Sequence, residues 1–203
     1  MPSFSLTAKE LHCLTDTDFL LTKAVIHQKA NQLLAATQLQ LKEYILNKSP
    51  AFPEKVLIRG GKISRGENYH ELPYYVLDYP RLLSQDDIFS LRTMVWWGHE
   101  LSISWHLAGL SLTHFRTKLA AQWTIIKQLD WHICVGDDPW QYHRHPSYYR
   151  LASEFTFGET DWKKWLEQRS FCKFAVFFPL SGWDNLPTQT VTFLDHIVTL
   201  LDL

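Results

Sequence analysis

The chain has 203 residues, 46% of them hydrophobic and 20% charged, with 20 basic against 21 acidic side chains for a net charge of −1. Such a balance excludes a disordered chain and leaves no basic footprint for nucleic acid or an anionic membrane. A chain of this length buries roughly 70% of its unfolded surface on folding, so one domain over residues 1–203 is expected, without a metal or disulfide to hold it.

In chain order, a short helical turn over Leu6 to Leu14 precedes a long helix from Asp18 to Asn47. Asp16 and Asp18 are good caps for its first amides, and Ile26, Ala30, Leu33, Thr37, Leu41 and Tyr44 form one apolar stripe before Ser49-Pro50 stops it. Gly60-Gly61 signals a two-residue hairpin between Lys55–Arg59 and Lys62–Ser64, and Arg65-Gly66-Glu67-Asn68 a second turn. Tyr74 to Tyr79 is a strand that Pro80 ends, and Ser84 to Asp87 resembles a cap for a short helix through Leu91. Thr93 to Trp97 and Glu100 to Leu107 are strands flanking Gly98-His99. The second alternates cleanly, with Leu101, Ile103, Trp105 and Leu107 inward and Glu100, Ser102, Ser104 and His106 on a solvated or groove-lining face. A helix from Thr113 to Leu129 follows, then a strand at Trp131 to Val135 and an irregular stretch from Gly136 to Gly158. A helix over Thr160 to Gln168, a buried strand over Phe171 to Leu180 and a terminal helix opened by Leu186-Pro187 complete the chain. Strands grouped between flanking helices predict an α+β fold: a largely antiparallel central sheet with a long N-terminal helix, a middle helix and a C-terminal helix.

Cys13, Cys134 and Cys172 are odd in number, far apart and outside any CxxC pattern, so they read as thiols, buried in the case of Cys134 and Cys172. The stretch MPSFSLTAKE lacks the blocks of a signal peptide, and the most apolar run, Met94 to Leu112, is broken by His99, Glu100 and His106. A cytoplasmic setting without membrane association is the expectation. Nucleotide-loop, dinucleotide, nucleophile-elbow, zinc-protease and calcium-loop motifs are all absent, no cofactor is implied, and no catalytic residue stands out.

Three constellations could carry function. Arg65 to Leu82 with Arg92 interleaves arginines and carboxylates with tyrosines, a pattern suited to a phosphate or carboxylate ligand. Arg65, Tyr75, Asp78, Tyr79, Arg81, Arg92, Trp96 and Trp97 are its candidate residues. Cross-strand ion pairs and tyrosines covering a sheet would use the same residues. Alternation puts Tyr74, Val76 and Asp78 on one face, so a buried Asp78 needs an arginine or hydroxyl partner. The stretch ENYHELPYYVLDYPRL with DIFSLRTMVWWGHELSISWHL resembles a family of uncharacterised bacterial proteins, over Arg65 to Leu107, and that resemblance implies no activity.

On the strand face Glu100 to His106, residues two apart stand about 6–7 Å from each other, too far for Ser104 and His106 to form a nucleophile–base pair. The loop Gly136 to Arg150 brings together His143, His145, Asp137 and Asp138, which could hold zinc or iron, or could simply be surface. Trp96 and Trp97 cannot both point inward, and Trp140 and Trp162 sit in polar surroundings, which favours partner or planar-ligand contact. Three readings follow. The first is a binding protein with an arginine, tyrosine and tryptophan groove for a small anionic or planar ligand. The second is a metal-dependent hydrolase on the His143–His145 loop, and the third a structural subunit that forms a homodimer.

Overall fold

The computed structural model describes residues 4–203. Its elements are α1 (Ala8–Thr15), α2 (Thr17–Lys48), β1 (Lys62–Tyr69), β2 (Leu72–Leu83), β3 (Asp87–Trp96), β4 (Glu100–Ala108), α3 (Gly109–Ala121), the single turn α4 (Trp123–Ile126), β5 (His132–Cys134), β6 (Tyr149–Leu151), α5 (Glu159–Glu167), β7 (Phe171–Pro179) and α6 (Leu186–Leu201). The strands form one sheet in the order β1-β2-β3-β4-β7-β5-β6, and every neighbouring pair is antiparallel. This is the expected α+β architecture. Among the described residues no helix is long and apolar enough to cross a membrane.

Helices cover one face of the sheet. Leu101, Ile103, Trp105 and Leu107 of β4 are all fully buried there, together with Phe115 and Leu119 of α3 and Leu194 and Ile197 of α6. The stripe of α2 joins this core only from Ala30 onward, through Leu33, Leu34, Thr37, Leu41 and Ile45; Ile26 is exposed, and α1 buries nothing. Trp162 is fully buried, its indole N–H donating to the Leu119 carbonyl at 3.0 Å, so it is a core ring and not an exposed one.

Several local expectations fail for tertiary reasons. Neither Gly60-Gly61 nor Arg65–Asn68 turns the chain. The β1–β2 hairpin closes at His70 and Glu71, whose φ values of 49° and 65° are those of a two-residue primed turn. Gly66 instead lies under the Tyr74 ring, where an added Cβ would sit 2.5 Å from a ring carbon. Strand β2 passes through Pro80 after a register shift between Asp78 and Arg81 and continues to Leu83. The segment after Ser84 is strand β3, not helix: Phe89 and Leu91 face the helices while Ser90 and Arg92 face away. Helix α3 starts at Gly109, four residues before the expected cap, because its cap comes from another element. The Asp87 carboxylate of β3 accepts from Ser111 N at 2.8 Å, and a Cβ on Gly109 would meet the Asp86 carbonyl oxygen at 1.8 Å.

Candidate functional site: a buried polar layer under the 136–148 loop

Because side chains alternate along a strand, the face opposite the helices carries Asp78, Ser90, Arg92, Ser102, Ser104, His106 and Lys173. This polar face is not open to solvent. Asp78, Ser90, Ser102, Ser104, His106 and Lys173 are all buried, because the loop of residues 136–148 lies across them. Registry arranges them in rows across the sheet. One row runs Asp78, Arg92, Ser104, Ala175; the next runs Arg81, Ser90, His106, Lys173.

The first row is closed on itself. Arg92 donates to both oxygens of Asp78, from Nε at 2.7 Å and from an Nη at 2.9 Å, the partner that a buried Asp78 requires. Burial works against the Arg92 charge, yet the Asp78 bonds outweigh it and hold its pKa above the ordinary value. The Tyr142 ring covers the pair, its centroid 4.6 Å from the guanidinium carbon.

The second row is not closed. Lys173 donates to the Pro139 and Gln141 carbonyls at 2.7 and 2.6 Å and lies 3.6 Å from the Tyr142 ring centroid, with no carboxylate bonded to it. Burial lowers its pKa to about 7. Buried atoms without a hydrogen-bond partner include Arg81 Nε, Ser90 Oγ and His106 Nε2, three successive positions of the row. Burial, then the positive Lys173 and Arg92, depress His106 to about 3, so its imidazole is neutral at pH 7. Half-exposed Trp140 meets His106 edge-on, with centroids 5.7 Å apart.

The loop is pinned at several points. Tyr69 Oη accepts from Tyr142 N at 2.7 Å and bonds His143 Nδ1 at 2.9 Å, and Glu100 accepts from Arg144 N at 2.7 Å. Arg169 donates to the Gly136 carbonyl. Where the loop meets the β1–β2 turn, the His143 ring packs against His70 at 4.6 Å and against Trp96 at 5.4 Å, while His99 stacks on Trp96 at 3.8 Å. Burial, followed by the neighbouring His70, His145 and His99, lowers His143 to about 4.

The eight candidate residues divide between the two faces. Asp78, Arg81, Arg92 and Trp96 belong to the loop-covered face; Tyr75, Tyr79 and Trp97 pack with the helix-side core, and Arg65, paired with Tyr75, lies on that side too. Tyr75 Oη bonds His27 Nδ1, and Tyr79 Oη donates to the Ile58 carbonyl at 2.8 Å. The metal set is dispersed as well. Asp137 pairs with Arg169, Asp138 accepts from Trp140 N and Gln141, His143 is taken by Tyr69, and His145 accepts from Ser147 N. Among the described residues no three His, Cys, Asp or Glu side chains are grouped to hold a metal ion.

Lys173, Ser90 and His106 lie outside the candidate ligand set that the sequence offers. The signal for His106 is the polar strand face Glu100 to His106, and for Lys173 a lone charge inside the apolar run FCKFAVFF; no comparable signal marks Ser90. A separate cleft of about 790 Å³ opens where β7 runs past the start of β5, lined by Trp131, His132, Arg144, Glu154, Phe177 and Phe193 among others. Charges of both signs line it, which favours no single ligand class. No protein-family model, curated protein or solved structure matches this chain.

Proposed function

We propose that this is a binding protein for a small oxyanion, a phosphate or carboxylate, held in the second row between the sheet and the 136–148 loop. The observation that carries the reading is the run of unpartnered buried atoms on Arg81, Ser90 and His106, in register on three adjacent strands. Directly opposed residues of an antiparallel sheet have Cβ atoms about 4.5–5.5 Å apart, so the three groups stand side by side across adjacent strands. A buried polar atom without a partner costs about 1–3 kcal/mol, and a ligand oxygen would remove that cost three times over.

Charge selects the ligand's sign. Arg81, Arg92 and Lys173 face a single buried carboxylate, Asp78, which Arg92 already occupies. An oxyanion would complete the balance, accept from Arg81 Nε and Ser90, and draw a proton onto Lys173 or His106. Trp140 would close the outer side. Isothermal titration with inorganic phosphate, sulfate and acetate tests the reading. One-to-one binding with proton uptake at pH 7.5 is expected, weakened at least tenfold in Arg81→Ala and lost in His106→Leu. Wild-type protein that neither binds any of these anions nor gains thermal stability from them would overturn it.

A further inference from the structure

Nine large apolar side chains stand exposed between Phe4 and Ile26, against seven in the whole remainder of the described chain. Apart from Phe4 and Leu6, which precede α1, they belong to α1 and the start of α2, and none of the described residues before Ala30 is buried. Phe19, Leu20, Leu21 and Val25 point around the helix in several directions, so this arm leaves large apolar side chains against water.

We infer that this arm docks against the arm of a second copy of the chain, the two α2 helices running antiparallel about a two-fold axis. Asp18, Leu21, Val25 and Lys29 recur at spacings of three, four and four, so they form one stripe, and all four are exposed. That stripe is self-complementary. Turned end for end it reads Lys29, Val25, Leu21, Asp18, so Asp18 of each copy meets Lys29 of the other while Leu21 meets Val25. An isologous contact requires this property. The stripe continues through Gln32 and Ala36 into an open groove of about 650 Å³ beside Leu33 and Trp183, which receives the tip of the other arm with its Leu14. A lipid surface fits less well: Lys9, Lys23 and Lys29 are offset by Glu10, Asp16 and Asp18, leaving no net positive charge to draw anionic headgroups.

Sedimentation equilibrium of the full chain over about 1 to 100 µM tests the inference. A concentration-dependent dimer is expected, and Leu21→Glu with Val25→Glu should leave a monomer whose circular dichroism is unchanged, since both sites are exposed. Lys29→Asp alone places like charges together twice and should weaken the dimer about tenfold. Adding Asp18→Lys to it should restore association. A wild-type chain that stays monomeric at the highest concentration would overturn the inference, as would a dimer indifferent to Leu21→Glu with Val25→Glu. Failure of the double exchange to recover association would overturn the antiparallel register.

Discussion

The two faces of the sheet are equally dry and are held in different ways. On the helix side, β4 presents Leu101, Ile103, Trp105 and Leu107 to α3 and α6, and shape alone fills the space. On the loop side, the same strand presents Ser102, Ser104 and His106 to a segment without regular structure. There, closure depends on named pairs: Arg92 with Asp78, Lys173 with two carbonyls, Tyr69 with the Tyr142 amide. On the helix side the unmet donors are the indole N–H groups of Trp97 and Trp105, each carried on a large apolar ring. Polar closure leaves valences, and this one leaves three in a row, which is why the better candidate for function lies under the loop and not under the helices.

Truncation should separate the faces most sharply. Trp105→Ala removes a fully buried ring from the helix side and is expected to cost about 3–5 kcal/mol in urea denaturation. On the loop side the sign depends on what is left behind. Asp78→Ala strands the Arg92 guanidinium and should cost about 3 kcal/mol or more, whereas Asp78→Leu with Arg92→Met removes both charges and should cost far less. If the two replacements cost the same, the ion pair does not close that face.

Acid provides the next contrast. His106 and His143 sit below their ordinary values, so between pH 6.5 and about 4 the unfolded chain binds protons that the native one does not. Stability therefore falls as pH drops through that window; for buried His106 the loss by pH 4.5 is about 3 kcal/mol. Lys173 gives the same sign higher up, with stability rising as pH climbs from about 7 toward 10.5. Urea midpoints measured across this range check both, and a stability profile flat below pH 6.5 would count against a dry loop face. The smallest effect is the most telling. His106→Leu removes an unpartnered ring nitrogen and should stabilise the protein by about 1 kcal/mol while abolishing anion binding, since a site held ready for a ligand is maintained at a cost in stability.

Much of this was legible in the residues. The alternation of β4, the long helix, the terminal helix and the need of a buried Asp78 for an arginine all follow from short-range periodicity, because a strand repeats every two residues wherever it is placed. The sequence alone therefore determined an α+β chain with a largely antiparallel sheet and a polar strand face. It did not determine what covers that face. The 136–148 loop has no period, and only its long-range bonds to Lys173, Tyr69 and Glu100 turn a face expected to be solvated or groove-lining into a buried layer. Tertiary structure also decided the partition of the candidate residues. A register set by a turn at His70-Glu71 and a shift after Asp78 sent Arg81 and Arg92 to one side and Arg65, Tyr75 and Tyr79 to the other. Facing depends on register, and a one-residue change in register reverses every side chain beyond it.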